Sequence, residues 1–218
     1  MSVKSKAGSS ISVVLLLLAA LTLYVLDVFP LKESGEILSP PASHTGRYET
    51  HVRCTLVDFR NNDGDSFMVR FSDGRQVELR LYFVDAPESA FKSYPGGDTN
   101  HARIREQAAD MGGVTPEQAV EIGKAAKSFV IELLESRPFT VYTLWDSPFN
   151  DERYHAFIEV ESDGRRRFLH EILIERGLAR IKSKPEDLPD GTPAARQREK
   201  LRVLERAARK AGVGVWRF

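Results

Sequence analysis

Asp73-Gly74 separates two runs in which every second residue is apolar. Phe67, Val69 and Phe71 precede it, and Val77, Leu79, Leu81 and Phe83 follow. A period of two puts each set on one face of a strand, and Asp-Gly is a strong hairpin signal. Upstream, the β-rich run 52–57 ends in a second polar turn, Asn61-Asn62-Asp63-Gly64-Asp65. These runs predict a three-strand meander with one buried face. Further strands are expected at 138–145 and 154–161, the latter followed by an Asp163-Gly164 turn. Ala119, Ile122, Ala126, Phe129, Val130 and Leu133 recur at helical spacing and predict a helix over 117–135. Shorter helices are expected at 168–176, stopped by Gly177, and at 193–210, stopped by Gly212. The polar stretch 89–116 reads as a surface excursion, with a substrate-contacting lid as the alternative.

Five strands with a helix between the third and fourth give the fold class: α+β, mainly β, a five-stranded OB-type barrel with three helices, preceded by an N-terminal apolar helix. Residues 11–26 contain only Ser12 and Thr22 as polar groups, after a leader carrying Lys4 and Lys6. Sixteen helical residues span about 24 Å; extension to Leu31 gives about 31 Å, enough for a bilayer core. The sequence is therefore divided into a cytoplasmic n-region at 1–10, a signal anchor or signal peptide at 11–31, a linker at 32–47 rich in Ser, Gly and Pro, and a folded domain at 48–218. The lysines keep the leader in the cytoplasm and export the rest. The domain is thus expected on the cell membrane, facing the periplasm or exterior, and secreted if the leader is cleaved.

Lys plus Arg equals Asp plus Glu at 31 each, which argues against a chain that coats nucleic acid by bulk positive charge. The one cysteine excludes an internal disulfide and a cysteine-built metal site. Basic residues do outnumber acidic ones two to one in 182–218. That run reads first as a solvated helix face and second as a phosphate-facing flank.

Two acidic groups occupy loop positions beside strands: Asp63-Gly64-Asp65 and Asp85-Ala86-Pro87-Glu88. Two such turns in a small barrel can lie side by side, and carboxylate oxygens without Cys or His suit Ca²⁺ or Mg²⁺. Taken alone, the Asp-Gly-Asp group reads first as a turn, the acid after the strand as a helix cap, and Arg80 as an outward-facing, solvated strand residue. Together they form an ordered pattern: Asp63-Gly64-Asp65-Ser66, Arg80-Leu81-Tyr82-Phe83-Val84-Asp85-Ala86-Pro87-Glu88, Gly123-Lys124-Ala125-Ala126, Arg153-Tyr154-His155-Ala156-Phe157, Glu175-Arg176-Gly177-Leu178-Ala179 and Val215-Trp216.

This order resembles the staphylococcal nuclease (thermonuclease) family over about 52–216. The resemblance implies an OB barrel and a calcium-dependent nuclease, a hydrolase of phosphodiester bonds in DNA and RNA that leaves 3′-phosphate ends. It implies Asp65, Asp85 and the Ala86 carbonyl as metal ligands, with Asp63 supporting them. It implies Glu88 as the group that positions or activates water, and Arg80 and Arg153 on the phosphate. Ca²⁺ is the expected metal, with Mg²⁺ or Mn²⁺ as alternatives. The expected partners are DNA and RNA as substrate and the membrane through the N-terminal segment, with the nuclease domain monomeric. A non-catalytic nuclease-like OB module that binds nucleic acid or a protein ligand is the alternative.

Three departures from the family stand out. Glu152 occupies a position where the family often has Gly, and Arg165 to Arg167 form a competing arginine run; Ala156 and Phe157 behind Arg153 favour Arg153. Asp151-Glu152 and Lys182-Ser183-Lys184 stand where tyrosines stack the nucleoside in the best-studied member. The 89–116 stretch, with His101, Arg103 and Arg105, exceeds the family's usual connection.

Overall fold

A computed structural model describes residues 46–147 and 152–218. Its strands are β1 (Glu49–Leu56), β2 (Ser66–Arg70), β3 (Gln76–Leu81), β4 (Val84–Asp85), β5 (Phe139–Thr143), β6 (Arg153–Ser162), β7 (Arg165–Phe168) and β8 (Arg180–Ile181). Its helices are α1 (His101–Asp110), α2 (Pro116–Ser136), α3 (Leu169–Glu175) and α4 (Ala194–Ala211), followed by a 3-10 turn at Gly214–Arg217.

The barrel runs β3-β2-β1-β5-β6 and closes by parallel pairing of β3 with β6. Every other contact between neighbours in it is antiparallel. Closure removes free strand edges and seals an apolar interior. Phe67, Val69, Leu79, Leu81, Val141 and Phe157 are essentially inaccessible within it. The register between β1 and β5 slips between His51 and Cys54, where Arg53 takes φ +58°, a bulge that bends the strand. The meander is joined as the sequence predicts. Asp163 and Gly164 both have positive φ and close the β6–β7 hairpin tightly.

Two expectations need correction. The stretch 89–116 carries a fourth helix, α1, whose Ile104, Gln107 and Ala108 are buried. Its apolar face is interrupted by a glutamine, which hides the period in the sequence. The third strand also ends at Leu81. Phe83 adopts φ +69°, and the chain turns off the barrel, so Tyr82 and Phe83 are both buried rather than on opposite faces. β4 then pairs with β8 instead of extending β3. A left-handed non-glycine residue costs about 1–2 kcal/mol, offset here by full burial of the phenylalanine ring. The expected n-region and apolar segment at 1–31, with most of the linker, lie outside the described residues. Among the described residues no helix is long and apolar enough to cross a membrane.

α2 starts at a capping box: Thr115 Oγ1 accepts from Gln118 N, and Gln118 Oε1 accepts from Thr115 N. Gly212, left-handed at φ +62°, ends α4. α3 and α4 pack through a buried polar contact in which the Gln197 amide donates to Glu171 Oε1 (2.7 Å) and to His170 Nε2 (2.8 Å). Burial, with a smaller contribution from the Lys200 charge, pushes His170 down to about 3, so the native state holds it neutral. A histidine that must charge on unfolding stabilises fully above pH 6.5, and that contribution is lost as pH falls from 6.5 toward 3. The wild-type urea midpoint is expected to fall between pH 7 and pH 5. His170→Gln is expected to flatten that slope by about 1–2 kcal/mol over the interval. Equal slopes for the two proteins would contradict this assignment.

Candidate active site

The two acidic loops are brought together by α2. Gly123 lies against the backbone of Pro87 and Glu88 so closely that a Cβ there would overlap the carbonyl oxygens of both. One turn on, Ala126 and the loop residue Ala86 press on Gly64, leaving no room for a side chain in the Asp63-Gly64-Asp65 turn. Small residues on one helix face therefore let both loops seat on the same support. Asp63 N donates to Ser66 O (2.7 Å) and Leu81 N to Asp65 O (2.9 Å), which fixes the first loop to β3. Arg80 lies opposite Ser66 in the β2–β3 register and opposite His155 across β6.

Asp85, 3% exposed, is the centre of a dense charge cluster. Its Oδ1 accepts from Arg80 Nη2 (2.8 Å) and Arg103 Nη2 (2.6 Å). Its Oδ2 accepts from Arg180 Nε (2.8 Å) and Gln107 Nε2 (3.1 Å). Burial alone would raise its pKa, but Arg103, Gln107, Arg180 and Arg80 outweigh it and hold the carboxyl below its usual range. Arg80 Nη2 also reaches Asp65 Oδ2 (3.2 Å), so one nitrogen bridges the two carboxylates. Asp65 is otherwise met by Ser66 Oγ and Ala86 N. Its pKa is raised, first by burial and then by Asp85 and Asp63, with Arg80 opposing. Asp63 is raised too, chiefly by burial, against its hydrogen bond from Gly64 N.

Glu88 is held on three sides. Its Oε1 accepts from Arg103 Nε (2.9 Å), its Oε2 from Asn100 Nδ2 (3.2 Å), and its backbone N–H donates to Gln107 Oε1 (3.0 Å). Arg153 opens β6 beside Glu78 of β3. The residue before it, Glu152, has φ +62°, which gives a physical reason for glycine at that position. Asp63, Asp65, Arg80, Ala86, Glu88 and Arg153 line one cleft of about 380 Å³, together with Lys92, Tyr94 and Arg103. Asp85 faces an adjoining cleft across Arg80 and Arg103, with Arg180, Lys182 and Lys184. Arg166 and Arg167 line a different cavity and pair with Glu159 and Glu175.

The sequence reading missed Arg180, Gln107 and Asn100 and left Arg103 open. Arg180 is almost fully buried and bonds Asp110 as well as Asp85. The one local signal was the spacing Ile104, Gln107, Ala108, Met111, which is helical with a polar member.

Among the described residues, no three acidic, histidine or cysteine side chains form a ready-made metal cage. The donor set nonetheless fits a hard divalent cation. Asp65 and Asp85 converge on one positively charged nitrogen of Arg80, and the Ala86 carbonyl, which accepts from Gln107 (3.0 Å), lies on the same loop. The charge of Arg180 is shared with Asp110 and Glu106, so the cluster is not overfilled with positive charge.

Gly123→Ala is expected to cost about 1–3 kcal/mol through overpacking and to shift the Asp85–Glu88 loop. Thermal unfolding and turnover measured well below the variant's midpoint should both fall, whereas exposed Lys124→Ala should leave both within error.

A protein-family model described as staphylococcal nuclease homologue matches residues 78–218. The match begins inside β3, so Asp63 and Asp65 precede it. No curated protein matches the chain.

Proposed function

The chain belongs to the staphylococcal nuclease homologue family, and from that premise we propose that it is a divalent-metal-dependent endonuclease hydrolysing phosphodiester bonds in DNA and RNA. The observation that carries this reading is the single cleft that gathers Asp65, Arg80, Glu88 and Arg153 against the Asp85–Ala86 loop. Phosphodiester hydrolysis needs an in-line water, a base to orient it, and positive charge where phosphorus gathers negative charge.

Asp65, Asp85 and the Ala86 carbonyl would hold the metal, with Asp63 behind them. A hard divalent ion held there, Ca²⁺ in this reading, would supply charge stabilisation to the phosphoryl oxygens. Glu88 takes the water's proton. Arg103 and Asn100 fix its carboxylate so that one oxygen lone pair can face the cleft. Arg80 and Arg153 each offer a planar fork that grips two phosphate oxygens at once. Arg80 has to exchange a carboxylate for the phosphate, and Arg103 and Arg180 keep Asp85 charge-paired as it does so.

A fluorescent single-stranded oligonucleotide should be cleaved in Ca²⁺ and not in excess EDTA. Glu88→Gln should lower kcat by about 10²–10³ with little change in binding, because the base acts in the transition state. Cleavage that persists in EDTA would overturn the metal assignment. The same crowded ion pairs favour a second reading. Asp85 has four donors and Glu88 three charged or amide neighbours, as in a module whose acids only hold the fold. Absence of metal-dependent turnover combined with nucleic-acid binding would establish that module instead.

We propose that residues 11–31 act as a signal anchor, or as a signal peptide, that exports the domain. The full-length protein should sediment with membranes and resist carbonate extraction. A mature N-terminus between residues 21 and 34 would instead mean cleavage and release.

A further inference from the structure

Six large apolar side chains are exposed among the described residues, and one of those with a ring, Tyr94, lines the candidate site, with exposed Phe91 three residues before it. Both belong to a small hairpin that precedes α1. Its arms meet at the Ser93–Thr99 bridge and at the Tyr94 N–H to Asp98 carbonyl bond (2.8 Å), and Gly96 and Gly97, both at positive φ, turn its tip. Its base is tied by Asn100. That side chain accepts from Lys92 N (2.8 Å) and donates to the Ala90 carbonyl (2.9 Å) and to Glu88 Oε2 (3.2 Å). Asn100 is 6% exposed, so this anchor is built into the interior. The hairpin and Glu88 are therefore held by the same amide.

The two rings differ in what they touch. Phe91 meets His101 edge to face at 5.1 Å. Tyr94, 47% exposed, makes no ring, cation or side-chain hydrogen-bond contact among the described residues, yet it lines the cleft with Arg80, Arg103, Arg153 and Lys92. A single exposed apolar residue needs no explanation. An unpartnered ring on a braced hairpin, at the rim of an arginine-lined cleft, is a different arrangement. A strand whose phosphate lies on the arginines carries a base within reach on one side, and every base offers a face to an aromatic ring.

We propose that Tyr94 is a base-stacking subsite, taking an unpaired base of a single strand whose phosphate occupies the cleft. This rests on the reading of the cleft as a polynucleotide phosphate site. A base in a duplex has both faces covered by its neighbours, so the ring selects unpaired segments. Stacking is indifferent to base identity, so the subsite adds affinity without sequence preference. The phenol hydroxyl has no role in this, and the ring face has all of it.

The test is fluorescence anisotropy of the purified full chain in EDTA, with a labelled thymidine decamer and an abasic sugar-phosphate chain of equal length and charge. Wild type should bind the decamer more tightly than the abasic chain. Tyr94→Ala should weaken decamer binding about tenfold and leave the abasic chain within twofold. Tyr94→Phe should match wild type on both. Wild type that binds the decamer no better than the abasic chain, or not at all, overturns the inference. So does a Tyr94→Ala variant, with an unchanged unfolding midpoint, that loses both probes equally or neither. Because the readout is binding without metal, a failure of turnover removes the nuclease reading and leaves this inference standing.

Discussion

Asp85 accepts hydrogen bonds from three guanidinium groups and one amide in a nearly dry setting, and the geometry of the site follows from that. An ionised carboxylate left unpaired in such a place would cost several kcal/mol, so each partner must arrive in position. Arg80 comes from β3, Arg103 and Gln107 from α1, and Arg180 from β8, 95 residues away in the chain. The cluster thereby ties the barrel wall to the helix before α2 and to the strand after α3. Removing one partner would leave the rest mismatched, so the pairings act as a set. Two of the arginines that satisfy Asp85, Arg80 and Arg103, line both adjoining clefts and separate them. Fold stability and the proposed phosphate chemistry thus draw on the same side chains.

A second constraint is steric. Gly123 and Ala126 let α2 touch both acidic loops, and Gly64 accepts that contact from the other side. The carboxylates converge because backbone, not side chain, fills the space between helix and loops. Larger residues at these positions would separate the loops by about a side-chain radius, and Asp65 and Asp85 would no longer share Arg80.

Much of this was legible in the sequence, for physical reasons. The β2–β3 hairpin announced itself because apolar residues alternate along both strands and because Asp73-Gly74 is a chemically distinctive turn; β5 and β6, which bury consecutive residues, were visible as short apolar runs. α2 was visible from its apolar stripe. α1 was not, because its inward face includes Gln107, whose burial depends on Glu88, Ala86 and Asp85. Tyr82 leaves the alternating pattern because the left-handed turn at Phe83 goes with the β4–β8 pairing, a contact between segments far apart in sequence. Arg180 was missed for the same reason: a strand arginine reads as solvated until its distant carboxylates are known. Of the residues singled out for the site, all but Asp85 line one cleft, and Asp85 forms the wall behind it. Local pattern reveals elements; long-range charge pairing appears only in three dimensions.

The central claim is that this cleft directs water onto a phosphodiester. The most direct measurement is one turnover on a single-stranded oligonucleotide in H₂¹⁸O, with the product phosphate weighed by mass spectrometry. Attack by water oriented at Glu88 predicts one solvent oxygen in the newly formed terminal phosphate. Failure to form product with Ca²⁺ present, or product that carries no solvent oxygen, would contradict the account.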